Sequence, residues 1–158
     1  MFFTAILLQV LLLDNVQMSG YLSPYFYVIF ILLLPFETPS WLILILAFLL
    51  GLSVDLFNGT PGMHAAASVF MAFARPFALK NFSPRDGYES TTFPGVSYYG
   101  LEWFAKYTII LVLSHHLFLF FTEAFRFTDI LYTLARIILS TALTSILIIL
   151  SQFFIFRK

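Results

Sequence analysis

The sequence predicts an all-α protein, a polytopic integral membrane bundle of about six transmembrane helices. Hydrophobic residues make up 61% of the 158 and charged residues only 10%, and the mean hydropathy is +0.95, so a soluble domain would have far more apolar surface than interior to hide it in. The apolar runs, rich in leucine and in the 21 phenylalanines, lack the two-residue alternation of a barrel strand. Helices satisfy their own backbone hydrogen bonds in lipid, and they are the expected spans. Turn-forming clusters then divide the chain into six runs, at residues 2–16, 24–35, 41–57, 63–79, 102–121 and 129–154.

The first run lacks a basic leader and a small-residue cleavage site, and reads as a retained span. Its apolar part is only about 12 residues against the ~20 that a bilayer needs, so the helix is expected to continue through Asp14 and Val16. Ser23-Pro24 opens the second run, which is short, and the stretch from Pro35 to Pro39 closes it. The third and fourth runs flank the turn "DLFNGTPGMHAAAS". Lys80 to Gly100 carries Ser83-Pro84, Asp86-Gly87 and Pro94-Gly95 and reads as an irregular cytoplasmic loop, either a solvated connector or a docking surface. No internal repeat or second domain is evident, so residues 1–158 form a single transmembrane domain.

Basic residues set the expected orientation. Six spans with both termini cytoplasmic place Arg75, Lys80, Arg85, Lys106, Arg157 and Lys158 inside and only Arg126 in an external loop. Trp41, Trp103, Tyr98, Tyr99 and Tyr107 then fall near the cytoplasmic interface, where amphipathic rings are enriched.

The third helix carries Gly51, Asp55 and Gly59 at intervals of four, which puts a carboxylate between two side-chain-free positions on one stripe. Asn58-Gly59 ends that helix, Thr60 is the expected N-cap of the next and Pro61 its first residue. Gly62 and His64 follow, and Ala65, Ala66, Ala67 and Ser68 offer a small surface for close contact. A carboxylate at the bilayer centre costs roughly 2.5–3.5 kcal/mol, less near the interface. Asp55 therefore needs donors, from Thr60, the turn amides or His64, unless it serves transport or proton transfer.

Arg136 lies about 10 Å into the last helix, at a depth matched by His115 and His116 on the fifth. Asp14, Asp55, His64, Glu123 and Asp129 are its candidate partners in a polar network at the outer leaflet. Adjacent histidines point about 100° apart on a helix, so His115 and His116 do not chelate one ion as an i, i+4 pair would. Ser140, Thr141, Thr144 and Ser145 read as small packing residues. With no GxSxG, HExxH, paired-carboxylate or phosphate-loop motif, the residues point to no enzyme, cofactor or metal. Zero net charge suggests no nucleic-acid partner.

The stretch "LLPFETPSWLILILAFLLGLSVDLFNGTPGMHAAASVFMAFARPF", with "LVLSHHLFLFF" later, closely resembles the rod shape-determining MreD family, particularly its forms from the Bacteroidota. The Gly51, Asp55, Gly59, Gly62, His64 pattern is its most diagnostic part. The resemblance implies a non-enzymatic inner-membrane protein of the cell-elongation machinery, working with MreC, the actin-like MreB, and the RodA and class B penicillin-binding protein pair. It also implies a distant likeness to the six-helix substrate-binding subunits of energy-coupling-factor transporters. The alternative is accordingly a small-molecule transporter subunit whose external cavity is lined by Asp55, His64 and Arg136.

Overall fold

The computed structural model describes residues 1–13, 22–89, 92–124 and 129–155. Among the described residues there are six α-helices and no strand: α1 (Phe2–Leu8), α2 (Ile29–Leu32), α3 (Ser40–Asn58), α4 (Met63–Asn81), α5 (Val96–Ala124) and α6 (Ile130–Ile155). Successive long helices pack in pairs, α3 on α4, α4 on α5 and α5 on α6. Three of them, α3, α5 and α6, are long and apolar enough to cross a membrane; α3, with 19 residues, spans about 28 Å. The helix α4 has the same length, but His64, Ser68, Arg75, Lys80 and Asn81 lower its apolar content. Phenylalanines 70, 73 and 77 on α4, Leu56 and Phe57 on α3, and Leu131 and Phe154 on α6 are exposed, as side chains facing hydrocarbon are. Together these features make the chain a membrane protein.

The first two predicted spans are less regular than the sequence suggests. The first is α1 followed by a π-helical turn, Gln9–Leu13, and its expected continuation through Asp14 and Val16 lies outside the described residues. In place of a helix over 24–35 there is a 3-10 turn, Phe26–Val28, running into the four-residue α2. Proline is the reason at both ends: Pro24 has no amide to donate and Pro35 cannot continue a helix. Amides on either side of Pro24 find partners elsewhere. Tyr25 N donates to Thr144 Oγ1 at 3.1 Å, Ser23 N to Ser140 Oγ at 3.2 Å and Tyr27 N to Gln9 Oε1 at 3.4 Å. Ser140 and Thr144 are thus hydrogen-bond acceptors for a non-helical strand of backbone inside the bundle, beyond the packing role expected of them.

The polar loop is also shorter and better held than expected. Helix α4 continues to Asn81, and α5 begins at Val96 with a break at Gly100 (φ 82°, ψ 165°), close to the expected start at Glu102. Before the gap at 90–91 the loop is tied to the helices: Tyr88 stacks on Phe36 with ring centroids 4.4 Å apart, and Tyr88 Oη donates to Leu79 O at 2.7 Å. Trp103 Nε1 donates to Phe82 O at 2.8 Å, and the Trp103 ring stacks on Tyr107. Burial in this cluster pushes the Tyr88 phenol up to about 12.

Candidate functional site

Asp55 is buried and accepts three hydrogen bonds. Thr60 Oγ1 donates to Oδ1 at 2.5 Å, His64 N to Oδ1 at 3.0 Å and Ala65 N to Oδ2 at 2.9 Å. The last two are first-turn amides of α4, which have no intrahelical acceptor. The carboxylate of one helix therefore caps the next, its charge set against the positive end of the α4 dipole. Thr60 is not the N-cap. Gly62 holds that position in the left-handed region (φ 77°), and the Thr60 hydroxyl turns to Asp55. Gly59 closes α3, also left-handed (φ 66°), so two positive-φ residues within four positions make the turn tight enough for α3 to reach the α4 amides.

Gly51 sits one turn earlier on α3. A Cβ there would fall 2.5 Å from Ala65 Cα and 2.6 Å from Ala65 N, so the two backbones touch. On α4, Ala65, Ala67 and Ser68 are buried, while Ala66 faces outward.

Below the turn the three histidines of the chain converge on two tyrosines. Tyr27 Oη lies 3.2 Å from His64 Nδ1, 2.7 Å from His115 Nε2 and within 3.4 Å of the Ser68 hydroxyl, which donates to it. His116 Nδ1 donates to Val112 O at 2.9 Å. The Tyr25 ring stands against all three imidazoles, at centroid distances of 5.0, 6.1 and 5.6 Å from His64, His115 and His116. No group of three or more His, Cys, Asp or Glu among the described residues is placed to hold a metal ion.

Arg136 belongs to the same end of the bundle but does not bond to the histidines. It pairs with Glu123 at 3.0 Å and lies over the Phe120 ring at 4.3 Å, and Phe120 in turn stacks on His116. Of its expected counter-ions, Glu123 is the partner. Asp55 is occupied at the turn, and Asp14 lies outside the described residues. Between these groups opens a cavity of about 340 Å³, whose walls include Tyr25, Thr60, His64, Glu123 and Arg136. Asp55, expected in that lining, is not part of it.

A second buried polar group was missed in the sequence. Arg75, counted there among the cytoplasmic charges, is 1% exposed inside α4. Its Nε donates to Tyr107 Oη at 3.0 Å and its Nη2 to Leu34 O, while Tyr107 Oη donates to Leu32 O at 3.0 Å. Arg75 and Tyr107 thus satisfy one carbonyl each at and just past the end of α2, with no carboxylate in ion-pair range of Arg75 among the described residues. Tyr107→Phe is expected to leave Arg75 Nε and Leu32 O without partners and to cost about 1–3 kcal/mol. Thermal unfolding of the purified protein in detergent measures this; an unchanged midpoint would show that the hydroxyl contributes nothing.

No family model, curated protein or solved structure matches the chain.

Proposed function

We propose that the chain is a non-enzymatic, multi-pass scaffold of the bacterial inner membrane, an MreD-like component of the cell-elongation machinery. In this role it links an MreC-like protein, an MreB-like cytoskeleton and the RodA and class B penicillin-binding protein complex. The observation that carries this proposal is what the residues of the resemblance do. Gly51, Asp55, Gly59 and Gly62 are all used in building one helix–helix turn, and the Asp55 carboxylate is taken up by three internal hydrogen bonds. A motif used this way supports a role in shaping a surface. Purification from native membranes followed by mass spectrometry tests the proposal: MreC-like, RodA-like and penicillin-binding proteins are expected in the eluate, and recovery without any elongation protein would overturn it.

In this proposal both termini are cytoplasmic. With Arg75 buried, Lys80, Arg85 and Lys106 remain of the described residues that carry this orientation; Arg126, Arg157 and Lys158 lie outside them. Reporter fusions after Lys158 and within residues 82–95 are expected to read cytoplasmic, and an external signal from either would reverse the assignment.

A small-molecule transporter subunit is the alternative, and the cavity is the observation that favours it, with His64 and Arg136 in its wall. Depleting the protein in cells separates the two: rounding of rods supports the scaffold, and loss of solute uptake with intact shape supports the transporter.

A further inference from the structure

We propose that the cavity beside Arg136 binds a small zwitterion, a molecule that carries a primary ammonium close to a carboxylate or phosphate. The inference concerns the cavity alone and does not rest on the scaffold reading, whose own test is which proteins co-purify.

The site is built by α5 and α6. Arg136 Nη1 donates to Glu123 Oε2 at 3.0 Å, and the two side chains stay 20% and 40% exposed. Both are wall residues of the cavity of about 340 Å³ and of a second of about 200 Å³, so the ion pair borders two cavities. Phe120, one turn before Glu123, lies against the guanidinium with its centroid 4.3 Å away and fixes the fork in place. The Arg136 Nε is buried with no hydrogen-bond partner among the described residues. A guanidinium has five N–H donors and a carboxylate about four acceptor sites, and a single bond joins this pair. Both groups therefore keep capacity for a ligand.

Charge decides which ligand can use it. Glu123 and Arg136 are the acidic and basic residues of the first wall, and Asp129 joins them in the second. Asp55 is taken up by the turn. A simple anion drawn to Arg136 would meet Glu123, and a simple cation drawn to Glu123 would meet the guanidinium. A zwitterion answers both: its anionic oxygens accept from Arg136, its ammonium donates to Glu123, and four charges alternate in sign. The ammonium is primary because a carboxylate only accepts and a quaternary nitrogen has no proton to give.

Size narrows the choice further. Small-molecule sites run from about 300 to 1,000 Å³, which puts the first cavity, at about 340 Å³, near the lower limit. It suits a free amino acid or an ethanolamine-phosphate head group whose acyl chains stay outside. Met63 and Leu119 supply apolar wall for the remainder of either one.

The test is isothermal titration calorimetry on the full chain in phosphatidylglycerol nanodiscs at about pH 7, where ammonium and carboxylate are both charged. The probes are L-alanine, glycerophosphoethanolamine, the N-trimethyl counterpart of each, and glycerophosphoglycerol as a plain anion. Binding of at least one primary-ammonium zwitterion is expected. Glycerophosphoethanolamine alone would identify a lipid head group as the source, alanine alone a free amino acid, and both together a site that reads only the charge pair. Glu123→Gln and Arg136→Gln are each expected to weaken binding by about tenfold or more. Should neither variant fold, the N-trimethyl comparison on the unaltered protein still decides. The proposal is overturned if neither zwitterion binds, if the N-trimethyl counterpart or glycerophosphoglycerol binds as tightly, or if a folded variant binds undiminished.

Discussion

Gly51→Ala is expected to remove most of the folded protein from membranes, whereas Ala66→Leu, on the facing helix, is expected to leave it near normal. The added methyl carbon of Gly51→Ala would sit 2.5 Å from Ala65 Cα, well inside van der Waals contact. Its obstacles are backbone atoms, which have no rotamer to change, so α3 and α4 must move apart. Overpacking a tight contact costs about 1–3 kcal/mol, occasionally more, and a rigid neighbour argues for the upper end. The separation would also draw Asp55 away from the α4 amides, coupling the two losses. Ala66 is exposed, so the larger leucine there meets lipid, although it belongs to the same run of small residues. Folded yield by size-exclusion chromatography in detergent, with the thermal midpoint, measures both. Equal tolerance of the two substitutions would remove the claim that the backbones touch.

Asp55→Leu is expected to be the most damaging change in the turn, and Asp55→Asn to lie between it and the unaltered protein. Leucine strands three donors, the Thr60 hydroxyl and the amides of His64 and Ala65, at about 1–3 kcal/mol for each that stays buried. Asparagine offers one acceptor oxygen and one amine. With its oxygen toward His64 N and Thr60, the amine faces the Ala65 N–H; turned over, the amine faces the His64 N–H. One donor meets a donor in either pose, and the favourable charge at the α4 N-terminus is lost. The expected order of folded amount, partner co-purification and rod shape is Asp, then Asn, then Leu, with all three falling together. An Asp55→Asn protein that folds and binds its partners normally yet fails to support rod growth would show that the charge has a task of its own, and the transporter would then lead.

Much of the α3–α4 turn was legible in the sequence because its determinants are local. Gly51 and Asp55 share a stripe by helical periodicity alone, and Asn58-Gly59 signals a helix end wherever it follows an apolar run. The mistake over Thr60 is local too: a threonine ahead of a proline and a helix looks like a cap. The positive φ of Gly62 instead moves the helix start two residues on, and a carboxylate from the previous helix takes over the capping.

Composition and periodicity by themselves determined that the chain is helical, that it lies in a membrane, and where its four long helices run, because burial in lipid constrains every backbone group at once. Only the tertiary structure decided where the interior polar groups go. Tyr27 meets His64 across 37 residues and His115 across 88, Tyr25 reaches Thr144 across 119, and Arg75 reaches Tyr107 across 32. Such pairs leave no periodic trace, since each depends on the rotation and depth of two helices against each other. Tyr27 was the least visible of them. It stands in a short prolyl-flanked segment that resembles a weak membrane span, and becomes central only when α4 and α5 bring their histidines to its hydroxyl.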